Sequence, residues 1–359
     1  MSLGNVLKMT LFGTSHGPRV GAFLEGVPSG LVIDYDALSI AMKERRPGGK
    51  YSSKRKETDE VEFLSGVSKG VTTGEKIEIS IKNNDAKSKD YSFLPNHPRP
   101  GHQDMVMMKK SDGDADLRGG GISSARLTAP IVAAAAVISP LLESIEIVIN
   151  AHVSSIGRVT ANIISSCPEK WANENCMQIR CQDPEAATKM IELVEQHRME
   201  LDSIGSEVEV QISGMPMGIG EPWFDGLEPS LARAMISIPA VRGIEFGRGF
   251  SVVQMKGSEH NSSWGGNREN PTLEGDKPDG ALAGLSTGSD LFCKVAFKPP
   301  SSIAKEQITL NLKTNKKEPL KIKGRHDPVI APRAVAVVEA MAKLTICDLA
   351  IRGGFLNGK

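Results

Sequence analysis

Hydrophobic and polar residues alternate most cleanly over Ile77–Ile81. Ile77, Ile79 and Ile81 share one face and Glu78 and Ser80 the other, the period-two signature of a half-buried strand. Glu207–Ile212 alternates in the same way, and Val6–Thr14, Val20–Leu24, Val61–Leu64, Glu146–Ile156 and Phe250–Met255 predict further strands. The helical period marks Pro184–Leu201, with Ala187, Met190, Ile191, Val194, Met199 and Leu201 on one side and charges elsewhere. A helix capped by Asp34 or Asp36 runs to about Arg45 and stops before Pro47-Gly48-Gly49. Pro229–Ile238 predicts another, and Arg333–Ile351 a long apolar one ended by Gly353-Gly354. Between His97 and Thr128 neither period holds. A helix follows that stretch to about Leu142. It starts either at Ser124, which puts Pro130 in its interior at a cost of ~3 kcal/mol, or at Thr128, where Pro130 is comfortable.

The pattern repeats. Val20-Gly-Ala-Phe-Leu-Glu-Gly26-Val-Pro28-Ser-Gly30 matches Val208-Glu-Val-Gln-Ile-Ser-Gly214-Met-Pro216-Met-Gly218. Each leads to a helix that closes near a basic residue and Gly, at Arg46-Pro47-Gly48 and Val241-Arg242-Gly243, and then to a strand, Val61–Leu64 or Phe250–Met255. Gly70-Val-Thr-Thr-Gly74 before Ile77–Ile81 matches Gly284-Leu-Ser-Thr-Gly288 before Leu291–Phe297, and the second copy carries an insertion at about Glu259–Asp279. The expectation is an α+β fold. It is a β-α-β sandwich of two repeated, largely antiparallel sheet-plus-helix units, about 20–82 and 208–299, within a single domain spanning 1–359. No GxGxxG lies between a strand and a helix, so a dinucleotide fold is not expected.

Composition narrows the function. Lys+Arg and Asp+Glu balance at 43 each, so no global basic field recruits nucleic acid or an anionic membrane. The five cysteines, at 167, 176, 181, 293 and 347, form no CxxC pair and read as reduced thiols rather than disulfides or a zinc site. No apolar run reaches membrane-spanning length, the longest being Ile131–Ile138, and no secretory signal is visible, which gives a cytoplasmic expectation. Met1-Ser2-Leu3 is assigned no role.

Candidate chemistry concentrates in the aperiodic stretch HPRPGHQDMVMMKKSDGDADLRGGGISSARLT. Arg presents a planar fork to oxyanions, Gly admits close backbone approach, and Ser adds short donors. A solvated loop needs Gly and Asp for its turns but has no use for Arg99, Arg118 and Arg126 beside His102. Three further clusters join it: Ser15-His16 in a glycine-bounded turn; Arg45-Arg46 with Lys50 and Arg55; and Gly324-Arg325-His326-Asp327-Pro328. Lys298-Pro299-Pro300-Ser301-Ser302 suits a phosphate or an ordinary loop equally. His16 and His102 sit in turns and suit proton exchange near neutral pH, whereas His152 and His197 read as core or surface residues. A metal set of His97, His102 and Asp104 ranks low because the surroundings are cationic. A Ser15, His102 and Asp327 triad ranks low because it lacks a nucleophile elbow and has no use for the arginines. The residues alone describe an enzyme acting on a small polyanion, and leave the reaction open.

Six motifs in order, GTSHGPRVGAFLEGVPSG, RRPGGKYSSKRK, RPGHQD, RGGGISSARLTA, KPPSS and GRHDPVIAPRAVAVVEAM, resemble the chorismate synthase family from about residue 6 to 352. That resemblance implies the anti-1,4-elimination of phosphate from 5-enolpyruvylshikimate 3-phosphate, giving chorismate in the last step of the shikimate pathway toward the aromatic amino acids. It implies reduced FMN (FMNH2) as cofactor without net redox change, NADPH as reductant if the enzyme is bifunctional, and a homotetramer. The rival from another class is a non-catalytic flavin- or polyanion-binding homologue.

By position, the resemblance makes His16 the acid for the departing phosphate, with Ser15 beside it. It sets His102 near the flavin and gives Asp327 a part in a proton relay. Substrate anions fall to Arg45, Arg46, Lys50, Arg99, Ser124, Arg126 and Arg325. The flavin wall comprises Ser123, Ser124, Ala125, Arg126, Pro239, Ala240, Gly284, Lys298, Pro299, Pro300, Ser301, Ser302 and Arg325. No metal is implied. The loop 48–56 becomes a lid. Departures from the family pattern are Lys50 for Arg, Thr14 and Leu127 for Glu, Pro239 for Asn, and Lys277-Pro278-Asp279-Gly280-Ala281 in place of an Asn-His-Ala-Gly-Gly run.

Overall fold

The computed structural model describes residues 1–46, 58–84, 91–167, 170–275, 278–322 and 326–356. Lys50, Arg325, Lys277 and the proposed lid at 48–56 lie outside these described residues.

Two five-stranded antiparallel sheets enclose a pair of helices. The first sheet runs Ser2–Leu3, Lys8–Gly13, Arg19–Glu25, Ile77–Lys82, Val61–Ser65 from edge to edge, and the second Val159–Thr160, Val148–Ile156, Ser206–Ser213, Leu291–Phe297, Val241–Phe246. Written this way, the central strand and both strands beyond it match in spatial order. The expected alternation is realised: Val20, Ala22, Leu24, Ile77, Ile79 and Ile81 are buried on one sheet, and Val208, Val210 and Ile212 on the other. The helix Thr128–Glu143 packs on the first sheet, Ala331–Arg352 on the second, and the two helices on each other. Ala133, Ala134 and Ala135 are fully buried, and their small side chains let sheet and helix approach closely. The stretch Arg118–Glu143 is long and apolar enough to cross a membrane by length and composition, but most of its apolar window is buried inside the protein.

The repeat extends to single atoms. Thr72 Oγ1 accepts from Leu31 N (3.0 Å) and donates to Pro28 O (2.7 Å). Ser286 Oγ accepts from Ile219 N (2.8 Å) and donates to Pro216 O (2.6 Å). Around them Gly30 N bonds Thr72 O as Gly218 N bonds Ser286 O.

One strand expectation is corrected. Phe250–Met255 is no strand: Gly249–Gln254 forms a 3-10 turn, with Phe250 and Val253 each 80% exposed. The partner of Val61–Ser65 in the second unit is Val241–Phe246, which carries a register irregularity around Arg242. The helix after the aperiodic stretch begins at Thr128, so Pro130 falls in its first turn. Pro184–Met199 is capped by the Asp183 carboxylate on Glu185 N and Ala186 N. At the chain's start, Asp348 on the Ala331–Arg352 helix accepts from the amides of Asn5, Val6 and Leu7 at 2.8–3.1 Å. This pins the first sheet's edge to the central helix.

Candidate active site

The aperiodic stretch folds as turns around a short helix, Asp104–Lys110, and two 3-10 turns, Arg118–Ser123 and Ala125–Leu127. Gly119, Gly120 and Gly121 all have positive φ (58°, 88° and 55°), which L side chains rarely adopt. The run bends the chain so that Gly121 O accepts from Ser15 N, and a Cβ on Gly119 would stand 2.7 Å from His16 Cε1. These glycines set the Ser15-His16 turn against the SSAR segment.

A cavity of about 910 Å3 opens where the two units meet. Its lining includes the apolar side chains of Leu11, Ile131, Ile238, Ile330, Val337 and Met341. It also includes Arg45, Arg99, Arg126, Arg242, Lys298 and Arg333, with Asp327 the one carboxylate of the described lining. His102, Ser123, Ser124, Ala125, Pro239, Ala240 and the whole 298–302 segment line it as expected. Ala240 adopts φ 74°, and its carbonyl accepts from Lys298 N, which joins the Pro239-Ala240 corner to the 298–302 loop.

The arginines are held from behind by carboxylates that the sequence did not single out for this role. Asp59 is buried and divides its oxygens: Oδ2 accepts from Arg45 Nη1 at 2.8 Å, and Oδ1 pairs with Arg126. Arg45 also donates to Thr128 Oγ1 and Ala125 O, and Arg126 to Asn83 Oδ1 and Lys82 O. Arg46 lies 3.9 Å from Asp59. Burial, with the charges of Arg333 and Arg126, lowers the Arg45 pKa to about 10 against the opposing pull of Asp59. Burial pushes the Asp59 pKa up, but Arg45 and Arg126 outweigh it and hold the carboxyl below its ordinary range. Both line the cavity, and each guanidinium also bonds inside the protein through Nε, Nη1 and Nη2.

Asp104 does the same for the other end. Its Oδ1 lies 2.7 Å from both His102 Nδ1 and Arg99 Nη2, and its Oδ2 accepts from Arg99 Nε and Arg99 N. Arg99 Nη1 reaches Ser302 Oγ at 3.2 Å. Lys298 Nζ and Ser301 Oγ both donate to Gly101 O, which stitches the 298–302 loop to the RPGHQD turn. Burial and the Arg242 charge lower the Lys298 pKa. Tyr91 links the two histidine regions, edge-on to His16 (5.3 Å between centroids) and under the Arg99 guanidinium (5.6 Å).

Ser15 Oγ donates to Arg118 O at 3.0 Å and lies 3.2 Å from His16 Nδ1. With its one proton spent on that carbonyl, Ser15 accepts from His16 Nδ1–H, and His16 Nε2 is buried. Asp327 Oδ2 accepts from Arg333 Nη1 at 2.7 Å. The alternative triad does not assemble, since Ser15 pairs with His16, His102 with Asp104 and Asp327 with Arg333. Nor does the metal set: His97 is on Glu318, and among the described residues no group of three or more His, Cys, Asp or Glu could hold a metal. Gly284 is corrected. It lies in a turn of the second unit, where its carbonyl accepts from Leu227 N, and it does not line the cavity; nor do Ser15, His16 and Arg46. His152 is buried 3.3 Å from Glu209, and His197 is 3.7 Å from Glu200, the structural roles expected of them.

The geometry defines an enzyme that performs acid–base chemistry on a small polyanion. The comparisons sharpen that class. A family model described as chorismate synthase matches residues 7–351. A chorismate synthase of Methanosarcina mazei is 43% identical over 355 residues, covering 99% of this chain and 97% of its own. One from Aeropyrum pernix is 43% identical, covering 97% and 92%. A crystal structure of chorismate synthase superposes with a TM-score of 0.72 at 24% identity, covering 97% of this chain and 93% of that one, a likeness of fold. The chain belongs to the chorismate synthase family.

Proposed function

We propose that the cavity takes 5-enolpyruvylshikimate 3-phosphate beside reduced FMN, and that the chain eliminates phosphate to give chorismate in the shikimate pathway. One observation carries the reading. Among the described residues six cationic side chains line the cavity, and the three carboxylates that face or back them (Asp327, Asp59 and Asp104) leave a positive excess. A ligand bearing a phosphate and two carboxylates matches that excess.

The residues present also fit a flavin. The apolar lining would suit a planar ring, and Lys298 and Ser302 would offer donors for a phosphate. The buried Arg333 Nε has no hydrogen-bond acceptor among the described residues. When bound, reduced FMN would supply the electron density that the elimination needs, with no net redox change. The chain's own groups do the rest. His16 gives the departing phosphate its proton, His102 exchanges a proton on the flavin side, and Asp327, held by Arg333, takes part in the proton relay. Lys50 and Arg325 complete the substrate contacts in this reading, and loop 48–56 shields the site. A single cytoplasmic domain assembled as a homotetramer completes the proposal.

The test is anaerobic turnover of 5-enolpyruvylshikimate 3-phosphate with chemically reduced FMN, following chorismate by absorbance. A parallel reaction with oxidised FMN and NADPH separates a bifunctional enzyme from a monofunctional one. A folded protein that binds FMN and forms no chorismate in the first reaction would reject the reading in favour of a binding homologue.

A further inference from the structure

We propose that Asp104 is a positioning residue for the reaction: its carboxylate fixes the His102 proton on Nδ1 and presents Nε2 to the cavity. The inference rests on the reading of His102 as a proton-exchanging group and adds the residue that sets its state.

Asp104 is fully buried, and the hydrogen bonds to its oxygens come from its own turn. Arg99 clamps both oxygens through Nε and Nη2, so the carboxylate cannot rotate, and Oδ1 is left aimed at His102 Nδ1. A carboxylate only accepts, so the short Oδ1 contact requires a proton on Nδ1. Arg99 Nη2, 3.0 Å from the same Nδ1, is also a donor and cannot bond to a protonated nitrogen, so both groups direct their protons to Asp104. Burial would push Asp104 toward neutrality, but the Arg99 and His102 hydrogen bonds hold it ionised. Among the described residues Arg99 and Asp104 contact this nitrogen, and Lys298 bonds to the carbonyl of neighbouring Gly101. His102 is thereby kept in one tautomer with its other nitrogen free to exchange.

The test uses the full chain with 15N-labelled histidine and no flavin or substrate, titrated over roughly pH 5 to 9. The His102 signals are assigned by their loss in His102→Gln. The expected result is an Nδ1–H tautomer for neutral His102 in the wild type. In Asp104→Asn the tautomer shifts toward Nε2–H. Asp104→Glu, which keeps the charge, retains the wild-type tautomer. Turnover with reduced FMN should fall about 10- to 100-fold in Asp104→Asn. An Nε2–H tautomer in the wild type overturns the proposal, and so does a tautomer unmoved by Asp104→Asn. The wild-type spectrum decides even if Asp104→Asn fails to fold. Full turnover by His102→Gln would instead remove the acid–base reading of His102, whatever the spectra show.

Discussion

Arg45 and Arg126, 81 positions apart in sequence, share one buried carboxylate, with Asp59 Oδ2 on Arg45 and Oδ1 on Arg126. Removing that carboxylate leaves two buried cations facing each other, with Arg333 and Arg46 near. Asp59→Ala should therefore destabilise the fold by about 3–5 kcal/mol, the cost of breaking a buried pair. Denaturant unfolding checks this. A loss below roughly 1 kcal/mol, the range of exposed pairs, would mean that water screens the site.

The same carboxylates set the acid limit of stability. Asp59 and Asp104 both have folded pKa values below the ordinary carboxylate range. Their stabilisation is complete above the unfolded value of about 3.9 and is lost as pH falls through the folded values. The melting temperature should hold from neutrality to about pH 5 and then drop. Asp59→Asn should lower the plateau and flatten the drop, and an unchanged acid slope in that variant would assign the effect to other groups.

Proton transfer should depend on His16 and His102 separately. Alanine at either position is expected to cost ~10²–10⁴ in kcat with the fold intact. Circular dichroism and turnover with reduced FMN measure the two properties. Full activity in either variant would remove that histidine from the mechanism.

Gly119 offers a test by steric means. Its φ is 58°, and a Cβ added there would lie 2.7 Å from His16 Cε1, so Gly119→Ala must displace the His16 ring. Activity should fall by about tenfold or more, while stability falls by about 1 kcal/mol, the usual cost of a left-handed non-glycine residue. A variant that loses stability but keeps turnover would show that the ring's place is not critical.

Thr72 and Ser286 test the duplication. Each hydroxyl both accepts an amide and donates to a carbonyl in its own unit. Thr72→Val and Ser286→Ala should each cost about 1–3 kcal/mol by leaving those groups unpaired. Because they lie in separate units, the double variant should show the sum within about 0.5 kcal/mol. Strong non-additivity in denaturant unfolding would reveal coupling between the units.

What the sequence made legible follows from what side-chain periodicity can encode. The alternation at Ile77–Ile81 and the matched Gly-Pro turns report local geometry, and both sheets are built on them. Phe250–Met255 misleads because apolar composition alone does not say which residues are buried, and there Phe250 and Val253 face solvent. In the site, the arginines and histidines stand out by type and by motif. Their partners do not: Asp59 lies 14 residues from Arg45 and 67 from Arg126, a pairing that only the fold creates. Asp104 is visible in the RPGHQD motif, but its residue type there suggests only a metal ligand. Arg333 reads as an ordinary first-turn residue of a helix until its contact with Asp327 is seen.

The cavity draws its walls from both copies of the repeat. Arg45 comes from the first unit, Leu11 and Arg126 from the segments flanking it, and Ile238, Ala240 and Phe297 from the second. The active site is therefore an internal subunit interface, as in a dimer whose protomers have been tethered and then allowed to diverge. One half supplies the buried Arg45 and Arg126, and the other supplies Lys298 and the Pro239-Ala240 corner. A chain severed at the Ser144–Ile147 connection would yield two fragments that are each inert, with turnover returning only on their reassociation and rising with the concentration of the scarcer piece.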